Sequence, residues 1–233
     1  MLIMLSPSKI MDMKTSSFLT SSKELYEDKT KKLVSDLSAL SKQALKKLMK
    51  LSDKQTEDVY QMYQTYPQAD KGHAITSYTG FVFKKLEIDQ YKQVQFDYLE
   101  KHVRILDALY GLLKPSTLIR PYRLDFSMKI YKESLYDLWD ITPHLKDTCI
   151  INLASKEYAK MLGDLEVIDI SFLEYKNGHY KNIATYSKQA RGIMLNYMTK
   201  ENIKTIEGIK KFDEAGYRFN EDLSSKLELV FTR

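Results

Sequence analysis

The chain opens on an unbroken apolar run, Met1-Leu2-Ile3-Met4-Leu5, closed by Ser6-Pro7-Ser8. So short a run, bounded by turn residues, predicts a buried strand. A Ser/Thr-rich connection over 15–22 follows. The period then changes to that of a helix. Leu25, Tyr26, Leu33, Val34 and Leu37 share one helical face. Ser41 caps a second helix with Ala44, Leu45, Leu48 and Met49 inward, while Lys42, Lys46, Lys47 and Lys50 form its other face without an acid. Ser52 and Gln55 have the spacing of a capping box. They predict a third helix with Val59, Met62, Tyr63 and Tyr66 inward, ended by Pro67.

Further along, 74–79 reads as a strand. Residues 89–106 read as helix, with 102–113 also readable in part as strand, and 118–126 as irregular or a short strand. Residues 149–153 form a buried strand, and Ser155 caps a short helix that Gly163 stops. Residues 165–175 are a strand, Asn177-Gly178 is a hairpin turn, and 180–186 is the return strand. Ser187 then caps a helix with Ala190, Ile193, Met194 and Tyr197 inward, and 227–232 is the last strand. Strands and helices interspersed around a hairpin predict an α/β-type mixed (α+β) fold, a mixed sheet with packed helices rather than a regular βαβ repeat. No repeat or linker divides the chain, so 1–233 is read as one domain.

Composition narrows the chemistry. The chain has 233 residues, 36 Lys+Arg against 31 Asp+Glu, and a net charge of +5. A chain of this length buries roughly 70% of its unfolded surface and needs no staples. The charge permits a polyanion partner without demanding one. The one cysteine, Cys149, excludes an internal disulfide framework and a two-cysteine redox pair. It heads an apolar strand, where a buried thiol is expected. The four histidines stand at no metal-ligand spacing, so neither a metal nor a cofactor is expected. The apolar start is too short to span a membrane and lacks a preceding charge, so a cytoplasmic protein without a membrane or disulfide-linked partner is the expectation.

Three segments carry candidate chemistry. Lys188 and Arg191 lie on one face at the predicted helix start, away from the apolar stripe. Cations there oppose the macrodipole unless an anion binds between them and the free N–H groups; otherwise they are two solvated charges. Lys9 follows the first strand, a common ligand position, although a lone lysine there reads more often as a surface residue. Arg123 lies in Pro121-Tyr122-Arg123-Leu124-Asp125, presenting a planar fork to phosphate or pairing internally with Asp125.

Together these segments resemble the YaaA-type peroxide-stress protein family. Ser6-Pro7-Ser8-Lys9 is similar to its S-P-A-K, Ser52-Asp53-Lys54 to S-D-K, and Leu109-Tyr110-Gly111-Leu112-Leu113-Lys114-Pro115 to L-Y-G-L-L-R-P. Pro121 to Asp125 is similar to P-Y-R-L-E, Asn152-Leu153-Ala154-Ser155 to N-L-A-S, and Lys188-Gln189-Ala190-Arg191-Gly192 to K-x-A-R-G. Gly216-Tyr217 and Glu228-Leu229-Val230-Phe231 follow in order. The chain departs at Asp107-Ala108, where the family has Ser-Gly. The resemblance implies a cytoplasmic protein that helps bacteria survive hydrogen peroxide by limiting free iron. It also implies an extended sheet cupped by curved helices around a positively charged cleft, with a helix–hairpin–helix element associated with DNA. Residues 106–115 are the candidate for that element.

Two functions compete. In the first, Lys9, Lys54, Arg123, Lys188 and Arg191 line a basic cleft that binds DNA phosphates by shape, with Ser8 beside them and the Lys42–Lys50 face as outer contacts. In the second, the same cations bind a nucleotide or nucleic acid on which Asp53, Asp125 or Tyr122 performs acid–base chemistry. A plain interaction scaffold would leave these cations scattered.

Overall fold

The computed structural model describes residues 1–233. In chain order the elements are β1 (Leu2–Leu5), α1 (Glu27–Ser38), α2 (Lys42–Met49), α3 (Asp53–Gln64), β2 (Gly72–His73), α4 (Ala74–Ser77) and α5 (Gln93–His102). There follow β3 (Val103–Asp107), β4 (Gly111–Leu113), β5 (Leu118–Ile119), β6 (Ile150–Asn152) and α6 (Lys156–Ala159). The chain closes with β7 (Val167–Lys176), β8 (His179–Lys181), α7 (Ala184–Lys200), α8 (Ile206–Lys210), β9 (Asp213–Glu214), β10 (Tyr217–Phe219) and β11 (Glu228–Thr232).

The fold is mixed α/β. One nine-stranded sheet runs β4-β3-β1-β6-β7-β11-β10-β9, with β8 paired on β7, and β2 pairs with β5 apart from it. The central strands β3, β1, β6, β7 and β11 are parallel, and antiparallel strands flank them. Strand β1 is buried at all four positions, as an apolar run between two parallel neighbours requires. Leaving β1, the chain first builds β3 on one side of it. It then passes back across β1 to build β6 on the other. The β1/β6 boundary is therefore where the order reverses, and in parallel sheets the carboxyl edge at such a boundary is a natural crevice. Strand β7 runs on beyond the end of β6, which Asn152 pairs to Asp169, and folds back through the Asn177-Gly178 turn.

Several expected elements differ. Residues 74–79 hold the single-turn helix α4, because β2 ends at His73 and the backbone turns to bond Thr117 and Pro115. The span 89–106 divides: α5 ends at His102 and the β-branched, apolar residues that follow enter the sheet as β3. Residues 106–115 hold a β-hairpin whose β4 is an edge strand of the sheet, with Leu106, Ala108, Leu109, Tyr110, Leu112 and Leu113 all buried, so they are not a helix–hairpin–helix. The return strand after the turn is only His179–Lys181. Helix α7 starts at Ala184 with Ile183 before it, not at Ser187, whose N–H already bonds the Ile183 carbonyl. Helix α1 begins at Glu27, leaving Leu25 outside it and half exposed. Cys149 is exposed, because β6 begins one residue later and leaves it at the sheet's amino edge. The α2 lysine face also meets acids: Lys42 pairs with Glu57 at 2.6 Å and Lys46 pairs with Asp53, both from α3.

Other local signals hold. The Ser41 side chain caps α2, and Ser52 with Gln55 closes the capping box of α3. Ser155 caps α6. No helix is long and apolar enough to cross a membrane.

Candidate functional site

The loops at the carboxyl ends of β1 and β6 are fastened together. The Ser155 N–H donates to Ser6 Oγ at 2.8 Å, and the Leu153 N–H donates to the Met4 carbonyl at 2.9 Å. Above this seam lies a cleft of about 420 Å³, lined by Ser6, Ser8, Lys9, Gly80, Phe81, Ser155, Glu157, Lys188 and Arg191 among others. That volume is in the range of small-ligand pockets, roughly 300–1,000 Å³. A narrower crevice shares Ser8, Lys9 and Tyr158 with it and continues to Tyr122, Arg123 and Asp125.

Helix α7 reaches the cleft because it lies unusually close to the turn at Phe83–Lys85. A side chain at Gly192 would collide with the Val82 carbonyl and crowd Lys85. This approach brings Lys188 and Arg191 against the loop that carries Gly80 and Phe81. The two differ in exposure: Lys188 is exposed, whereas Arg191 is half buried. Burial pulls the Arg191 guanidinium down from its ordinary value, with the carboxylate of Asp169 acting against it. Its Nε is buried without a hydrogen-bond partner. The expected anion nest at a free helix start is not there, since both residues sit past the first three residues of α7, beyond its unbonded N–H groups.

The other side of the site is held from beneath. Lys9 Nζ donates to Asp125 Oδ2 at 2.7 Å. Burial alone raises the Asp125 carboxyl. The Lys9 ammonium and the Ser127 hydroxyl and N–H overcome this and hold it below the usual carboxylate range. Thus Asp125 pairs with Lys9, and Arg123 forms no ion pair with it. The Arg123 Nε is also buried and unpartnered. The Arg123 carbonyl accepts a bond from the Tyr63 hydroxyl at 2.9 Å.

Tyr122 points the other way. Its hydroxyl donates to Asp107, and burial raises its pKa, so it presents no acid or base to the cleft. Asp107 is the residue that reasoning from sequence passed over. It is fully buried and accepts from the Tyr78 hydroxyl at 2.7 Å, from Tyr122, and from the N–H groups of Leu109 and Tyr110 at 2.8 and 3.0 Å. The Tyr110 hydroxyl in turn accepts from the Arg120 N–H at 2.9 Å. These bonds pin the segment carrying Arg123 and Asp125 onto the β3–β4 hairpin. The clue in the sequence was an acid in the middle of an apolar run.

Among the candidate residues, Ser8, Lys9, Arg123, Asp125, Lys188 and Arg191 meet in the two connected crevices. Asp53 and Lys54 do not line them. They stand in the first turn of α3, where Asp53 pairs with Lys46. Tyr63, which touches Arg123, lies about 14–15 Å further along that helix. No group of three or more His, Cys, Asp or Glu gathers as a metal site.

Comparison with known proteins agrees with the motif order. The chain is 37% identical over 251 residues to a UPF0246 protein of Acaryochloris marina, covering the whole of both chains. It is 36% identical over 248 residues to a UPF0246 protein of Fusobacterium nucleatum, covering this chain fully and 99% of the relative. A UPF0246 protein of Francisella philomiragia is 34% identical over 254 residues, again over the whole of both chains. The family described as peroxide stress protein YaaA matches residues 1–223, and with full-length relatives at this identity the chain belongs to that family.

Proposed function

We propose that this peroxide-stress protein acts in the cytoplasm by binding DNA through the cations around the β1/β6 cleft, and so helps limit iron-dependent oxidative damage to the duplex. The observation that carries the reading is the gathering of Lys9, Arg123, Lys188 and Arg191 in two connected crevices. Arg123, Lys188 and Arg191 are in no ion pair, and Lys9 alone among the four pairs, with Asp125. Phosphate groups supply the missing anions, and such contacts follow backbone shape rather than base sequence. Lys54, also without an ion pair, lies on α3 outside the cleft and is a candidate for an outer contact. Direct thiol chemistry is a poor alternative, because a single cysteine cannot complete a two-cysteine reduction cycle.

Titration of duplex and branched DNA over a salt series tests the reading. With three to four phosphates engaged, log K should fall against log salt with a slope of about −3. Replacing both Lys188 and Arg191 by Ala should make that slope shallower by about 2. Affinity independent of salt, or unchanged in the double variant, would sink it. A second reading, a phosphate-ligand enzyme, is favoured by Asp125 standing 2.7 Å from Lys9 within the same crevice.

A further inference from the structure

The inner cleft differs from a surface that tracks a duplex. Arg191 is half buried and lines the cleft, where a group that enters meets its guanidinium. A duplex laid across the rim meets these cations from outside, with phosphodiesters that each carry a single negative charge. A phosphate ester at the end of a chain or on a free nucleotide can enter. It brings up to two charges and more acceptor oxygens. The donors in place suit that group: the Arg191 fork, the Lys188 ammonium, and the Ser8 hydroxyl, whose oxygen accepts from the Ile10 N–H at 3.1 Å and whose proton stays free. Glu157, which also lines the cleft, repels a second anion, which favours one phosphate over a polyphosphate.

The lining also carries uncovered apolar side chains. Phe81 is 52% exposed and Ile10 is 64% exposed, and both line this cleft. A planar base gains by lying on such a face. The position is also the one that parallel sheets offer to ligands, beyond the carboxyl ends of two strands where their order reverses.

We infer that the cleft between the carboxyl ends of β1 and β6 binds a nucleotide phosphomonoester, with its phosphate on Arg191 and Lys188 and its base against Phe81. The inference deepens the reading above and rests on it for the choice of a nucleotide among phosphate esters. The phosphomonoester has two sources, a free nucleoside monophosphate and the phosphorylated end of a strand.

The test is calorimetric titration of the full chain at low salt. The free probes are 2′-deoxyadenosine 5′-monophosphate and 2′-deoxyadenosine. The strand probes are a hairpin duplex with a 5′-phosphate, the same hairpin with a 5′-hydroxyl, and a closed circular duplex. The monophosphate should bind more tightly than the nucleoside by about tenfold or more, the scale of charge-assisted hydrogen bonds. Phosphate dependence in both pairs assigns a general nucleotide pocket, and dependence in the hairpins alone assigns a reader of strand ends. Arg191→Gln should abolish the preference and Lys188→Gln should reduce it. Because Lys188 is exposed, its variant keeps the test decisive if Arg191→Gln fails to fold. Phe81→Ser should weaken the monophosphate while leaving inorganic phosphate unaffected. The circle has no ends, so its salt-dependent binding reports the duplex reading alone. Loss of circle binding with retained phosphate preference overturns that reading and leaves the pocket. Equal binding of phosphorylated and dephosphorylated probes, or a preference untouched by both Arg191→Gln and Lys188→Gln, overturns the pocket.

Discussion

At the scale of single residues, Asp107 carries the largest burden. Four donors converge on a carboxylate with no access to water. In Asp107→Ala the Tyr78 and Tyr122 hydroxyls, 3.0 Å apart, keep each other as partners. The Leu109 and Tyr110 N–H groups keep none, so the variant should lose about 3 kcal/mol or more of unfolding free energy. Asp107→Asn supplies an acceptor to the two N–H groups and an amide to the tyrosines, and should retain most of the stability. The pH dependence gives a sign to check. Burial raises the Asp107 pKa, despite the hydrogen bonds acting the other way. A raised folded value means that its contribution is fully present below the ordinary carboxylate range and lost as pH rises through the folded value. Stability relative to Asp107→Asn should therefore fall for the native chain as pH rises from about 4. Denaturant unfolding of the three proteins at several pH values checks both points. The departure from the family's Ser-Gly was visible in sequence, but not that its partners would be Tyr78 and Tyr122, which only the fold brings together.

At the scale of elements, the site depends on where α7 lies. Capping chemistry located α2, α3 and α6 from sequence, because a serine at the right spacing satisfies end N–H groups locally. Helix α7 has no side-chain cap at Ile183, so Ser187, the nearest candidate, drew the start too late. Ser187 instead bonds the Phe172 carbonyl and Asn182, tying the helix to the β7–β8 hairpin, a contact between segments that no local rule reads. The short β2 was similarly hidden, since pairing with the distant β5 rather than residue preference makes it a strand, whereas β5 and β8 were read with bounds that ran too long. Gly192 gives this packing a direct test. In Gly192→Ala the new methyl meets backbone, which cannot rotate aside, so α7 or the turn at Phe83–Lys85 must move. The expected loss is about 1–3 kcal/mol. Because Arg191 is its neighbour, phosphate or DNA affinity should fall together with the thermal midpoint. An alanine variant of native midpoint and affinity would show that the close approach does not position the cleft.

At the scale of the whole molecule, a net charge of +5 says little until it is mapped. The order of strands decides where the cleft opens. Crossing back over β1 opens the seam to β6, and the loops from both strands bring Lys9 and Ser155 to one edge. The parallel arrangement was not legible in a pattern that showed only strands and helices interspersed. The Lys42–Lys50 face looked equally basic in sequence, since periodicity shows a helix's own faces but not what packs beside them. In the structure Lys42 lies against Glu57 and Lys46 against Asp53, while Arg123, Lys188 and Arg191 face no such partner. An ion-paired lysine that meets a phosphate must share its charge with its acid, so its net counterion release is small. Exposed pairs of this kind also contribute little to folding. Lys42→Gln with Lys46→Gln should therefore change the salt slope of DNA binding by less than about 1, against about 2 for the Lys188 and Arg191 pair. Both double variants remove the same formal charge, so a response to net charge alone would give equal slopes. Measuring the two in parallel separates a local cleft from a diffuse positive surface, and equal slopes would assign binding to the surface as a whole.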